Sequence, residues 1–194
     1  MYNLILMMDV ILRVGGLIAV VLVLVGGFLL WDNYTNRKLQ ELAYKEYEIR
    51  KLLQAGNYKK AQELIDSASD GSMKPLFLSY KLYMAEHSKD QKINTSEVLR
   101  EVIKSLKNKE LLALYRERYA YELFKEGKNK EALSELEKIK EEDFNYSSSL
   151  LLKAQILKKE GKTEEARAIL KKIEEKNPNT YFANMAQALS IMGD

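Results

Sequence analysis

A chain of 194 residues with 46% apolar and 30% charged positions has the length for one compact domain and not for two of ordinary size. Its 31 Lys and Arg against 28 Asp and Glu leave a net charge of +3, too small for a polyanion to be the main partner, so nucleic acid is not expected. Zero cysteines remove disulfide frameworks, thiolate nucleophiles and cysteine-held zinc or iron–sulfur sites, and 2 Pro with 9 Gly suit long helices better than a β-sandwich.

The first element is apolar. Val14 to Trp31 runs 18 residues without a charge, about 27 Å of helix at a rise of about 1.5 Å per residue, close to the hydrocarbon thickness of a bilayer. This predicts a transmembrane helix over about residues 12–31 in a membrane anchor spanning 1–32, with lipid as its first partner. A cleaved signal peptide is the competing reading, but the run exceeds the usual apolar core of about 7–15 residues, and Phe28 to Asp32 offers no small-residue cleavage site. Trp31 and Tyr34 sit where interfacial aromatics belong, and Asp9 and Arg13, four apart, can neutralise each other at the opposite boundary. Gly15, Ala19 and Gly26 share a stripe that would let another membrane-protein helix approach closely. Against that stands the ordinary frequency of Gly in such spans. Sidedness stays open: Arg37, Lys38 and Lys45 outnumber Arg13 and the terminal amine, which places the following domain in the cytoplasm by the positive-inside count, yet long domains translocate with little regard to flanking charge.

From Asn33 to Gln54 helical periodicity continues without Pro or Gly, so the anchor is expected to run directly into the next helix. Beyond it lies an internal repeat. GKNKEA at Gly127–Ala132 recurs as GKTEEA at Gly161–Ala166, 34 residues on, and GNYKKA at Gly56–Ala61 is an earlier copy. A further unit belongs between the first and third, with a lengthened turn near residues 90–96 ahead of Val98. A 34-residue period with a helix-breaking Gly five residues before an Ala resembles the tetratricopeptide repeat, a helix–turn–helix unit. The physical logic is that Gly tolerates the left-handed turn and a small Ala lets the two helices approach.

In that register the fourth repeat places Ala154, Ala166, Leu170, Ile173 and the repeat-ending Pro178; the third places Ala120, Leu123, Ala132, Leu136 and Ile139 but has Phe144 instead of the proline, so its second helix should differ. The first keeps Gly56, Tyr58, Ala61 and Ile65, with Ile49 where a small residue is expected. A capping helix should close the stack, with Asn179 or Thr180 as N-cap and Phe182, Met185, Ala186, Leu189 and Met192 on one face. The expected fold is all-α: a transmembrane helix, then over 33–194 a solenoid of about four tetratricopeptide-like helical hairpins with a C-terminal cap.

No phosphate loop, nucleophile elbow or zinc spacing is present, so no enzyme, metal or cofactor is expected. His87 reads as a surface histidine; the run Glu141 to Asp143 and the Lys158–Lys159 and Lys171–Lys172 pairs read as solvated faces. The 12 tyrosines suit a groove for protein or peptide clients. First helices of such repeats line it, pointing Leu114, Glu117, Tyr121 and Phe124 inward from repeat three and Leu151, Gln155 and Lys158 from repeat four. The competing reading puts Tyr121 and Phe124 in the core between repeats.

One more resemblance rests on Gly127 through Ala168: a turn, an Ala-containing helix, Ile139-Lys140 with an acidic turn, then Leu150 to Gly161 followed by Ala166-Arg167. Behind a single N-terminal span, this order resembles the YfgM-type ancillary subunits of the SecYEG translocon. The resemblance implies a single-pass protein of the bacterial inner membrane with a periplasmic repeat domain, touching the translocon and passing emerging chains to chaperones. An accessory or assembly subunit of another inner-membrane complex, such as a respiratory one, and a cytoplasm-facing targeting receptor are the alternatives.

Overall fold

The structure is a computed structural model that describes residues 2–68, 71–88, 92–176 and 178–191, with side chains from Val20 onward. Among the described residues there are nine helices and no strand: α1 Tyr2–Gln54, α2 Tyr58–Ser67, α3 Lys74–His87, α4 Thr95–Ser105, α5 Lys109–Lys125, α6 Asn129–Leu136, α7 Tyr146–Lys159, α8 Thr163–Lys176 and α9 Tyr181–Ile191. The chain divides into two compact units, Met1–Ala55 and Gly56–Asp194.

The first unit is α1, one helix of 53 residues without a break at the end of the apolar run. Its large apolar side chains from Val20 to Trp31 are 50–74% exposed, on every side of the helix. A helix that is apolar all round has no core-facing stripe of its own. Among the described residues no helix is long and apolar enough to cross a membrane. Residues 12–19 of the expected span, and with them the side chains of Gly15 and Ala19, lie outside the residues whose side chains are described. Gly26 faces open space: a Cβ built there meets nothing within 4 Å.

The second unit is made of antiparallel helix pairs. α3 packs on α4, α5 on α6 and α7 on α8, and α9 covers α7 and α8; α2 lies against α3. Asn side chains start three of the helices, with the Oδ1 atoms of Asn57, Asn94 and Asn108 accepting from the backbone N–H of Lys60, Glu97 and Leu111. The lengthened turn before Val98 is the interval between His87 and Thr95; its residues 89–91 are outside the described set.

The repeat register is realised at the turns. Gly56, Gly127 and Gly161 have φ of 70°, 78° and 77°, a left-handed conformation that costs a side-chain-bearing residue about 1–2 kcal/mol. After α5, Lys128 N–H donates to the Leu123 carbonyl at 2.8 Å and Gly127 N–H to Phe124 at 3.0 Å; after α7, Lys162 N–H reaches Leu157 at 2.9 Å and Gly161 N–H reaches Lys158 at 2.9 Å. Both are the two-bond C-terminal cap that satisfies the last helix carbonyls. Five residues later, Ala61, Ala132 and Ala166 are fully buried, as are Ala120 and Ala154 on the preceding helices. The core follows in one cluster of Ala120, Leu123, Ala132, Leu136, Ile139, Leu152 and Ile156, and a second of Leu157, Ala166, Leu170, Ile173 and Ala186. Thr180 caps α9, its Oγ1 accepting from Ala183 N–H at 3.3 Å; Asn179, with φ of 64°, is the left-handed residue before it. Phe182, Met185 and Leu189 pack on the second cluster, while Met192 is outside the described residues.

Candidate functional site

Between the first helices of successive repeats the second unit has an open groove of about 530 Å³. α5 contributes Leu114, Glu117, Arg118 and Tyr121, spaced so that a 3.6-residue helix sets them on one face; α7 contributes Ser148, Leu151, Leu152 and Gln155 by the same rule, and α9 adds Phe182. The residues just before α7, Phe144 and Asn145, complete the lining.

Three large apolar side chains stand exposed at this groove: Leu114 at 42%, Tyr121 at 48% and Phe144 at 66%. The opposite faces of α5 and α7, with Ala113, Ala120, Leu123 and Ile156, go into the core, and Leu152 joins that core from the groove floor, so each helix divides its apolar residues between packing and display. The Lys125 ammonium lies 5.5 Å from the centroid of the Tyr121 ring and is paired with Glu122 at 3.0 Å; that carboxylate holds the amine above its ordinary pKa, so it remains a cation.

The floor is polar. Asn145 occupies the N-cap position of α7 yet makes no cap hydrogen bond. Its Nδ2 donates to the Ala113 carbonyl at 3.1 Å and to Glu117 Oε2 at 2.6 Å, joining α5 to α7. Those two acceptors fix which end of the amide is nitrogen. Asn145 is 4% exposed and its Oδ1 has no hydrogen-bond partner. Arg118 is engaged by Glu86 on α3.

Of the seven groove residues read from the sequence, Leu114, Glu117, Tyr121, Leu151 and Gln155 line the groove, and Phe124 and Lys158 do not. Phe124 is rotated off the stripe and packs on the core cluster of its own repeat, with Lys159 Nζ 4.8 Å over its ring. Lys158 lies on the groove-facing side of α7 but donates to the Leu189 carbonyl at 2.6 Å, satisfying a carbonyl in the last turn of α9. Phe144, Asn145 and Phe182 were not legible as groove residues. The aromatic in place of the repeat-ending proline was the signal for Phe144; an Asn ahead of a helix signals only a cap.

The other singled-out groups take structural places. His87 stacks on Tyr83 with ring centroids 4.0 Å apart and its Nδ1 lies 2.8 Å from the Tyr83 carbonyl. Glu141 of the acidic run pairs with Lys176, with Lys172 at 4.0 Å, and this pairing lowers its carboxyl pKa. Lys172 also donates to the Tyr146 hydroxyl at 2.9 Å. Among the described residues no group of three or more His, Asp or Glu is placed to hold a metal ion.

The sequence profile of the family described as "Tetratricopeptide repeat-like domain" matches residues 12–188. An uncharacterized protein of Aquifex aeolicus (strain VF5) is 28% identical over 126 residues, covering 57% of this chain and 74% of the relative. No solved structure gives a significant match. Repeat domains of this family bind protein partners and are typically non-catalytic.

Proposed function

We propose that this chain, which belongs to the tetratricopeptide repeat-like family, is a membrane-tethered scaffold that holds a partner protein in the groove between α5, α7 and α9. The observation that carries the reading is the display of Leu114, Tyr121 and Phe144 around one groove. Half-exposed apolar side chains gathered on one face mark a surface made to be covered. In this reading residues 1–32 are the anchor and 33–194 the repeat domain. The exposed apolar girdle from Val20 to Trp31 supports lipid as its surroundings, and open space at Gly26 supports room for another membrane helix.

The finer reading is an ancillary translocon subunit of the YfgM type in a bacterial inner membrane, its repeat domain periplasmic and its clients passed on from SecYEG to chaperones. It is supported by the resemblance over Gly127 to Ala168. An accessory subunit of another inner-membrane complex would use the same groove and anchor. The Arg37, Lys38 and Lys45 count favours a second reading, a cytoplasm-facing receptor.

The test is affinity isolation of the full chain from detergent-solubilised membranes, beside a variant carrying Leu114→Ala and Tyr121→Ala. A stoichiometric partner held by the native chain and lost from the variant is expected. Its identity separates translocon from other complexes, and protease access in spheroplasts separates the two sides. Equal recovery from both chains would remove the groove from the function, and extraction of the chain from membranes by alkaline carbonate would remove the anchor.

A further inference from the structure

Two charged side chains, Glu117 and Arg118, line the groove beneath its apolar rim. Glu117 receives one hydrogen bond, from Asn145 Nδ2, and no Lys or Arg lies within ion-pair distance of it among the described residues. The neighbouring cation, Arg118, is committed to Glu86. Lys125 beside Tyr121 is committed to Glu122, and Lys158 to a backbone carbonyl. Asn145 adds a second acceptor, its Oδ1, buried and unpaired in a residue that forgoes its ordinary cap bond. The lining thus carries the Glu117 carboxylate without a cation of its own, walled by Leu114, Tyr121 and Phe144.

We propose that the groove selects a partner segment carrying one basic side chain, Lys or Arg, flanked by apolar residues, with the cation docking on the Glu117 carboxylate and the flanks on Tyr121 and Phe144. This rests on the groove being the partner site, and it adds the chemistry of what enters. The cation brings the ion-pair partner that Glu117 lacks. Its neighbours cover the rim and exclude water, which strengthens the ion pair. An acidic segment is rejected by the same carboxylate.

Three fluorescein-labelled heptapeptides of Leu and Ala, with Lys, norleucine or Glu at the centre, are titrated against the full chain in detergent by fluorescence anisotropy. The native chain is expected to bind the Lys peptide about tenfold more tightly than the norleucine peptide, and the Glu peptide more weakly than both. Glu117→Gln keeps an oxygen that accepts from Asn145 and should melt like the native chain; it is expected to bind the Lys and norleucine peptides equally. Tyr121→Ala should weaken both. Equal binding of all three peptides to the native chain, with Tyr121→Ala still weakening them, would overturn the preference for a cation and leave the groove reading standing. Binding indifferent to Tyr121→Ala, or absent, would overturn both. A concentration-dependent dimer abolished by Tyr121→Ala would make the occupant a second copy of this chain and overturn the proposal as well.

Discussion

The α5–α6 and α7–α8 repeats are alike through the turn and diverge after it. Each has a left-handed glycine, Gly127 or Gly161, and a fully buried alanine five residues on. Each buries an isoleucine at the same place in the period, Ile139 and Ile173. Ile173 is inside α8, a helix of 14 residues, whereas α6 ends after 8 at Leu136 and Ile139 is buried from a turn. Within that turn Asp143 Oδ2 accepts from Lys140 N–H at 2.7 Å, a local bond that competes with helix. The regular repeat proceeds by Pro178 and Thr180 to a helix that seals the stack. The irregular one delivers Phe144 and Asn145 to the groove. The departure from the pattern is thus where the groove gains Phe144 and Asn145, and the geometry the two repeats share is its support.

The two repeats are most vulnerable at the core they share. Ile156 is on α7 but packs in the cluster of α5 and α6, so Ile156→Ala should cost about 2–5 kcal/mol and lower amide protection in α5 and α7 together in hydrogen exchange. Protection lost from α7 alone would show the repeats to be independent. Overpacking the helix contacts comes next: Ala132→Leu and Ala166→Leu should each cost about 1–3 kcal/mol in urea unfolding, since both alanines are fully buried. A tolerated leucine at either site would mean that the helices there do not need close approach.

The turn glycines test the part of the pattern that is the same in both repeats. A Cβ at either meets nothing within 4 Å, so Gly127→Ala and Gly161→Ala should pay only for the backbone, about 1 kcal/mol and a fall in Tm of about 2–4 °C each. The smallest effect is expected at Glu141, between the irregular turn and α8. Its hydrogen bond from Lys176, then the charges of Lys176 and Lys172, hold its carboxyl below the ordinary 4.5, so the folded state favours the ionised form. The resulting stabilisation is present at neutral pH and disappears as pH falls through the lowered value. Native chain and Glu141→Gln should therefore differ slightly in Tm at pH 7 and converge in acid. A difference that grows on acidification would reverse the sign.

The sequence disclosed the helical pairs because a 34-residue period repeats both a backbone requirement, the left-handed glycine, and a steric one, the small alanine. It disclosed Leu114, Glu117, Tyr121, Leu151 and Gln155 as groove lining because one-sided spacing on a helix survives into the fold. Phe124 and Lys158 escaped that logic for separate reasons. Phe124 lies far enough round α5 to reach the core, and the Lys158 stem is long enough to find the end of α9. Asn145 was hidden because its role depends on a carbonyl and a carboxylate 32 and 28 residues away, contacts that no local pattern encodes.

A partner seated in the proposed groove would meet one face of the repeat stack and not the other. A photoreactive benzoylphenylalanine placed at Tyr121, in the groove, is compared in intact membranes with one at Ser134, exposed on α6. Discrete adducts with a partner protein from position 121 and none from position 134 are predicted. Adducts from both positions alike, or from position 134 alone, would contradict it.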